Sequence, residues 1–249
     1  MRQHFKSGAS DLTEGDPVDG QQLDALLRLT TAIDRPVPAM AVSLWTGRLP
    51  DILMQIWNAR GLARIADGRM RLVDPARYGP LMDFLFEGDP DFDGDTHVIA
   101  LGDMGQLALW SERQGFVFLV PGLLTLDAPY LLATDPPSPD KQIAERLLGL
   151  KAEHIETFDP RGEPVHDRLR QQLGRLDGED IYAATPVPPA PGGTRPEDYV
   201  LADALEWQEA LITESEFTLV DWHRREPTLR LVRQPWPKGA AHRAAGAAR

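Results

Sequence analysis

Apolar residues recur along this chain with two periods, and the switches between them mark out its elements. Leu23, Leu26, Leu27 and Thr30 fall on one face of a helix expected from Gln21 to Ile33, which the Pro36 and Pro38 pair stops. A second helix opens at Pro50, and Ile52, Leu53, Ile56 and Trp57 keep helical spacing until Gly61 ends it. RIADGRMRLV then reads as a hairpin, because Asp67 and Gly68 tolerate the positive φ of a two-residue turn. Asp74 caps the next helix with Pro75 at its first position, and Tyr78, Leu81, Met82, Leu85 and Phe86 form its inward stripe. Beyond an acidic loop, THVIALGDMGQLALWSERQGFVFLVPG reads as three strands with turns at 102–105 and 112–115, an antiparallel meander.

Pro136, Pro137 and Pro139 mark the expected domain boundary. Past it the spacing predicts helices at 140–149, 164–173 and 197–213, the last with Val200, Ala204, Trp207 and Leu211 on one face. The intervening PVPPAPGG is an extended loop that cannot pair in a sheet. The expected class is α+β: helices with a small antiparallel sheet over 21–134, then a smaller, mainly helical domain over 140–235. Residues 1–20 form a flexible arm and 236–249 a disordered tail in this reading.

Composition narrows the chemistry. The chain has 249 residues, 42% of them apolar, and no cysteine, which excludes disulfide scaffolds, thiolate zinc sites, iron–sulfur clusters and cysteine nucleophiles. No apolar run reaches membrane-spanning length and the start MRQHFKSGASD lacks a signal-peptide core, so a cytoplasmic location is expected. Arginine predominates over lysine, as in GC-rich bacterial genomes.

Charge points to a class of partner. A net charge of −12 disfavours nucleic acid and anionic membrane and favours a basic protein. The charge is concentrated: residues 81–112 carry eight acids and no Lys or Arg, and residues 177–221 carry eleven acids against Arg195 alone. Glu87, Asp89, Asp91, Asp93 and Asp95 in the first window, with Glu179, Asp180, Glu197 and Asp198 in the second, are the candidate partner-binding residues. Solvated faces kept soluble by charge are the plain alternative.

Other constellations are incomplete. Asp89, Asp91, Asp93 and Gly94 match positions 1, 3, 5 and 6 of a calcium loop, but Ala100 stands where a bidentate glutamate is required and Thr96 where an apolar anchor is usual. None of Ser7, Ser10, Ser43, Ser111, Ser138 and Ser215 lies in a nucleophile elbow. His4, His97, His154, His166, His223 and His242 have no paired metal spacing, and no phosphate-binding glycine string occurs. No catalytic residue, metal site or cofactor is therefore expected. Trp57, Trp110 and Trp207 are read as core, and Trp45, Trp222 and Trp236 are candidate exposed anchors.

Leu49, Pro50, Trp57, Gly61, Asp67, Gly68, Pro75 and Tyr78, followed by Gly102, Asp103 and Trp110, resemble the GAD-like domain pattern, with Leu101 where that family has an aromatic. Leu173, Gly174, Leu176, Glu179, Tyr182, Pro186, Gly192 and Gly193 resemble the C-terminal domain of immunity proteins for type VI secretion DNase effectors. The resemblance implies a cytoplasmic antitoxin that binds a cognate DNase and covers its cationic DNA-binding or active-site surface. It carries no interface residues over, because the matching positions are packing and turn residues. Two rival readings stay open: a metal-assisted hydrolase using the 89–95 loop, and an acidic regulatory scaffold for another basic protein.

Overall fold

Every residue of the segments THVIALG (96–102) and LALWS (107–111) is buried, so a sheet built on them must be covered on both faces. In the computed structural model, which describes residues 20–31, 35–187 and 195–233, this is the case. Helices α1 (Gly20–Arg28), α2 (Ala39–Trp45) and α3 (Asp51–Arg60) come first. They are followed by β1 (Arg64–Ile65), β2 (Met70–Leu72), α4 (Gly79–Phe86), β3 (Thr96–Gly102), β4 (Leu107–Ser111), β5 (Gly115–Val120) and β6 (Thr125–Asp127). The remainder comprises α5 (Pro139–Ile143), α6 (His166–Leu173), β7 (Asp180–Ala184), β8 (Tyr199–Asp203), α7 (Ala204–Glu214), β9 (Phe217–Val220) and β10 (Thr228–Arg233).

Eight strands make one sheet in the order β1-β2-β3-β4-β5-β6-β9-β10, antiparallel except for the parallel β6–β9 pair. One face carries Ile99, Ala108, Trp110 and Phe116 against Ile52, Ile56 and Trp57 of α3 and Ile143 of α5. The other carries Val98, Leu107, Leu109, Val117 and Leu119 against Leu81 and Leu85 of α4 and Trp207 and Leu211 of α7. Burying each such large side chain contributes roughly 1.5–3 kcal/mol. A bulge sharpens the division: Val98 faces Leu109 and Ala100 faces Ala108, so the extra residue places Ile99 and Ala100 in the same cluster.

Mixed helix and sheet therefore stand as expected, but the sheet is large where a small one was expected. The C-terminal half is also not mainly helical. Residues 199–203, expected inside a helix, form β8, and Val200 is exposed there. The YVLAD run is too short for its period to decide between helix and strand, and α7 starts only after Asp203, whose carboxylate accepts the Leu205 and Glu206 N–H groups. The first helix ends at Arg28, and Thr31 leaves it to bridge Arg64. The 65–70 turn is longer than the two residues expected: Ala66, Asp67 and Gly68 all take positive φ.

The core crosses the proline-rich turn at 136–139. Ile143 and Leu147, beyond it, pack in the cluster of Trp57, and β9 pairs with β6. Residues 1–19 of the expected 1–20 arm, Gly192 and Gly193 of the PVPPAPGG loop, and the tail with Trp236 lie outside the described residues, whereas Gly20 opens α1. Among the described residues, no helix is long and apolar enough to cross a membrane.

Candidate functional site

The acidic loop between α4 and β3 is closed by an internal cation. Asp89 is buried, and its Oδ1 accepts the backbone N–H groups of Asp91 at 3.0 Å and Phe92 at 3.3 Å. Arg230 of β10 donates to both Asp89 oxygens, at 2.6 and 2.7 Å, and to Asp91 Oδ2 at 2.7 Å. The guanidinium thus occupies the place a calcium ion would take between the first and third positions of the loop. Asp93 Oδ2 accepts the Gly88 N–H, and Asp95 pairs with Arg113. Among the described residues, no group of three or more histidine or carboxylate side chains is arranged to hold a metal. Of the five nominated residues in this loop, only Glu87 and Asp93 are exposed.

The second window divides in the same way. Glu179 is buried, accepting the Tyr78 hydroxyl at 2.6 Å and pairing with Arg77 at 3.1 Å and Arg35 at 3.4 Å. Burial and the neighbouring Glu179 charge push the Tyr78 hydroxyl well above its ordinary range, so it stays a donor. Asp198 accepts the Arg195 N–H, Asp180 is half-buried, and Glu197 is exposed. Several of the nominated acids thus join elements of the fold: Asp89 and Asp91 hold Arg230 of β10, and Glu179 holds Arg35 and Arg77.

Tertiary structure assembles a different acidic surface. On the outer side of the layer formed by α4 and α7, Asp83, Glu87, Glu206, Glu209 and Glu214 are exposed, as is Glu216 just past α7. None of these six forms a salt bridge among the described residues. Helical spacing hinted at part of this face, since Trp207 and Leu211 point inward and Glu206 and Glu209 are left outside, while Glu214 is exposed at the end of the helix. What the sequence could not supply is that α4 packs beside α7.

A third group of charges, around Asp103, is paired internally. Its carboxylate meets Arg64 and Arg71, each at 3.3 Å, and His166 Nε2 at 3.1 Å, while its backbone oxygen accepts the Tyr182 N–H at 2.8 Å. Burial lowers the affinity of the Arg71 guanidinium for its proton, and the Asp103 charge opposes that shift. Arg69 extends the network to Glu156 and to Asp167 of α6. These pairs fasten α6 and the β7–β8 ribbon to the end of the main sheet.

Of the candidate tryptophan anchors, Trp45 is buried, with its indole N–H donating to Asp74 at 3.1 Å. Trp222 is 51% exposed, and its backbone N–H donates to Asp127 Oδ1 at 3.5 Å. Burial, only partly offset by that N–H and by Arg146, raises Asp127 to about 6.

Three predictions follow from this geometry. Because Arg230 fills the loop, millimolar calcium is expected to leave the melting temperature of the wild-type protein unchanged; a calcium-dependent rise would contradict that assignment. Arg230→Ala strands a buried Asp89 carboxylate and should cost about 2–4 kcal/mol in denaturant unfolding. Asp127 has a folded pKa above its unfolded value, so its contribution is complete below about pH 4 and is lost as pH rises through about 6. Asp127→Asn should therefore stabilise the protein at pH 7, by up to roughly 2–3 kcal/mol, and leave it unchanged at pH 4. Urea midpoints at the two pH values check this.

Comparison with known proteins fits this architecture. No curated protein matches the sequence. Among solved structures, the chain is similar to Atu4351 from Agrobacterium tumefaciens, with 21% identity and a TM-score of 0.76 over 84% of this chain and 96% of that one. At that identity the likeness shows a common fold, and its coverage takes in much of the chain beyond β5. Residues 23–122, from α1 to the end of β5, match the GAD-like family, and the chain thus carries a GAD-like domain within a larger shared fold.

Proposed function

We propose that this protein is an immunity protein, a cytoplasmic inhibitor that binds a cognate type VI secretion DNase and covers its cationic DNA-binding or active-site surface. The observation that carries the reading is the outer face of α4 and α7, where carboxylates stand exposed without salt-bridge partners among the described residues. A nuclease presents cationic side chains to DNA phosphates, and an acidic face of this kind competes for them while excluding substrate. The GAD-like domain and the C-terminal motif around Leu173–Tyr182 support the same assignment.

The exposed acids Glu87, Asp93 and Glu197 remain candidate contacts, joined by Glu206, Glu209, Glu214 and Glu216. Asp89 and Glu179 serve the interface only by holding its elements in place. The metal-assisted hydrolase reading loses the loop that motivated it, since Arg230 engages both Asp89 and Asp91. An acidic scaffold for another basic protein would use the same face and is separated from the inhibitor by assay.

The test is co-expression with a candidate nuclease encoded beside this gene, followed by purification and plasmid digestion. A one-to-one complex with cleavage abolished is expected. Reversing Glu206, Glu209, Glu214 and Glu216 to lysine should slow association at low salt by about tenfold or more while leaving the melting temperature within a few degrees. A nuclease that digests DNA equally well beside an equimolar amount of this protein would refute the reading.

A further inference from the structure

β8 is the outer strand of the two-stranded β7–β8 ribbon, and the phase of its hydrogen bonds can be read from its surroundings. The Tyr182 N–H leaves the ribbon to donate to Asp103, so Tyr182 and its partner Leu201 form a pair that exchanges no ladder bonds. The flanking bonds Thr185 N–H to Asp198 O and Ala204 N–H to Glu179 O confirm this alternation. The N–H and C=O of Leu201 therefore point outward, together with the N–H of Asp203, and they have no partner among the described residues.

Edge strands are usually guarded, and this molecule guards its others. β1 has two residues, and its Arg64 already exchanges both backbone bonds with Thr31. β10 is broken by two register shifts and carries Arg230 locked to the acidic loop. β8 has neither device: YVLA contains no charge, proline or bulge, and Val200 and Leu201 are 45% and 44% exposed on opposite faces of the ribbon. Two exposed acids flank it, Glu197 before it and Glu206 in the first turn of α7, whereas Asp198 accepts the Arg195 N–H and Asp203 is held by Arg77 and the α7 N–H groups.

We propose that the outer edge of β8 is a strand-addition site that takes an extended basic segment of the partner protein. Main-chain bonds to Leu201 and Asp203 supply register, Val200 and Leu201 grip alternate side chains from the two faces, and the flanking carboxylates select lysine or arginine at the ends of the incoming strand. The proposal rests on the reading of this protein as a binder of a basic nuclease, and it names where that nuclease's chain engages.

Amide hydrogen exchange of the full chain, free and with the co-expressed nuclease, tests it together with two variants. Leu201→Pro removes an outward N–H at a position where an edge strand tolerates proline, and Leu201→Lys keeps the N–H but places a cation at the edge. With the nuclease bound, exchange at Leu201 should slow about tenfold or more, and each variant should weaken binding at least about tenfold with the fold intact. If the nuclease binds while Leu201 exchanges as before and Leu201→Lys binds like wild type, the edge proposal is overturned and the inhibitor reading stands.

If the nuclease fails to bind wild type, the inhibitor reading falls, and the edge is judged with the acetylated peptide Lys-Val-Lys-Val-Lys-Val. Protection of the Leu201 amide by that peptide supports the site, and no protection overturns it. Self-association of the wild-type chain that Leu201→Lys abolishes would also overturn it, by assigning the edge to a second copy.

Discussion

The buried carboxylate of Asp103 is the constraint on which the arrangement of the C-terminal half depends. It lies at the β3–β4 turn and faces Arg64, Arg71 and His166, and Arg71 is almost wholly removed from water. A guanidinium so placed is tolerable only beside an anion, and Asp103 supplies it. The backbone oxygen of the same residue fixes the Tyr182 N–H, and with it the hydrogen-bond phase of the ribbon. One residue thus anchors α6 through His166, attaches β7 to the sheet and decides which groups of β8 face outward.

The same economy governs the other charges. In a chain of net charge −12, many of the cations are engaged as counterions to carboxylates of the fold: Arg230 to Asp89 and Asp91, Arg35 and Arg77 to Glu179, Arg64 and Arg71 to Asp103. The surface over α4 and α7 is left with acids that no arginine among the described residues answers. The acidic field that would steer a basic partner is therefore the complement of a buried network that holds the fold together. Each buried pair also joins distant segments, as Tyr78 and Glu179 do across the two halves of the chain.

Much of this was legible in the sequence where one element sufficed to decide it. The α4 stripe from Tyr78 to Phe86 and the β3–β5 meander follow from local period and turn residues, and Asp74 and Gly61 act at the helix ends as their types dictate. The strands missed were β6, β7, β8, β9 and β10, runs of three to six residues whose pairing is set by partners outside the run. The calcium-like loop shows the limit for function: spacing showed aspartates able to surround a cation, but not that Arg230, far along the chain, would be that cation. The surface charge was legible as an excess and illegible as a location, because α4 and α7 become neighbours only through the sheet between the two halves.

The most direct test of the central claim is the association rate of this protein with the proposed nuclease partner, measured by stopped-flow fluorescence as ionic strength rises. An acidic face that competes for a DNA-binding groove requires a rate that is fast at low salt and falls steeply between about 0.05 and 0.5 M, with DNA cleavage blocked in proportion to the complex formed. An association rate that does not change with salt, or a complex that still cleaves DNA, would contradict the account.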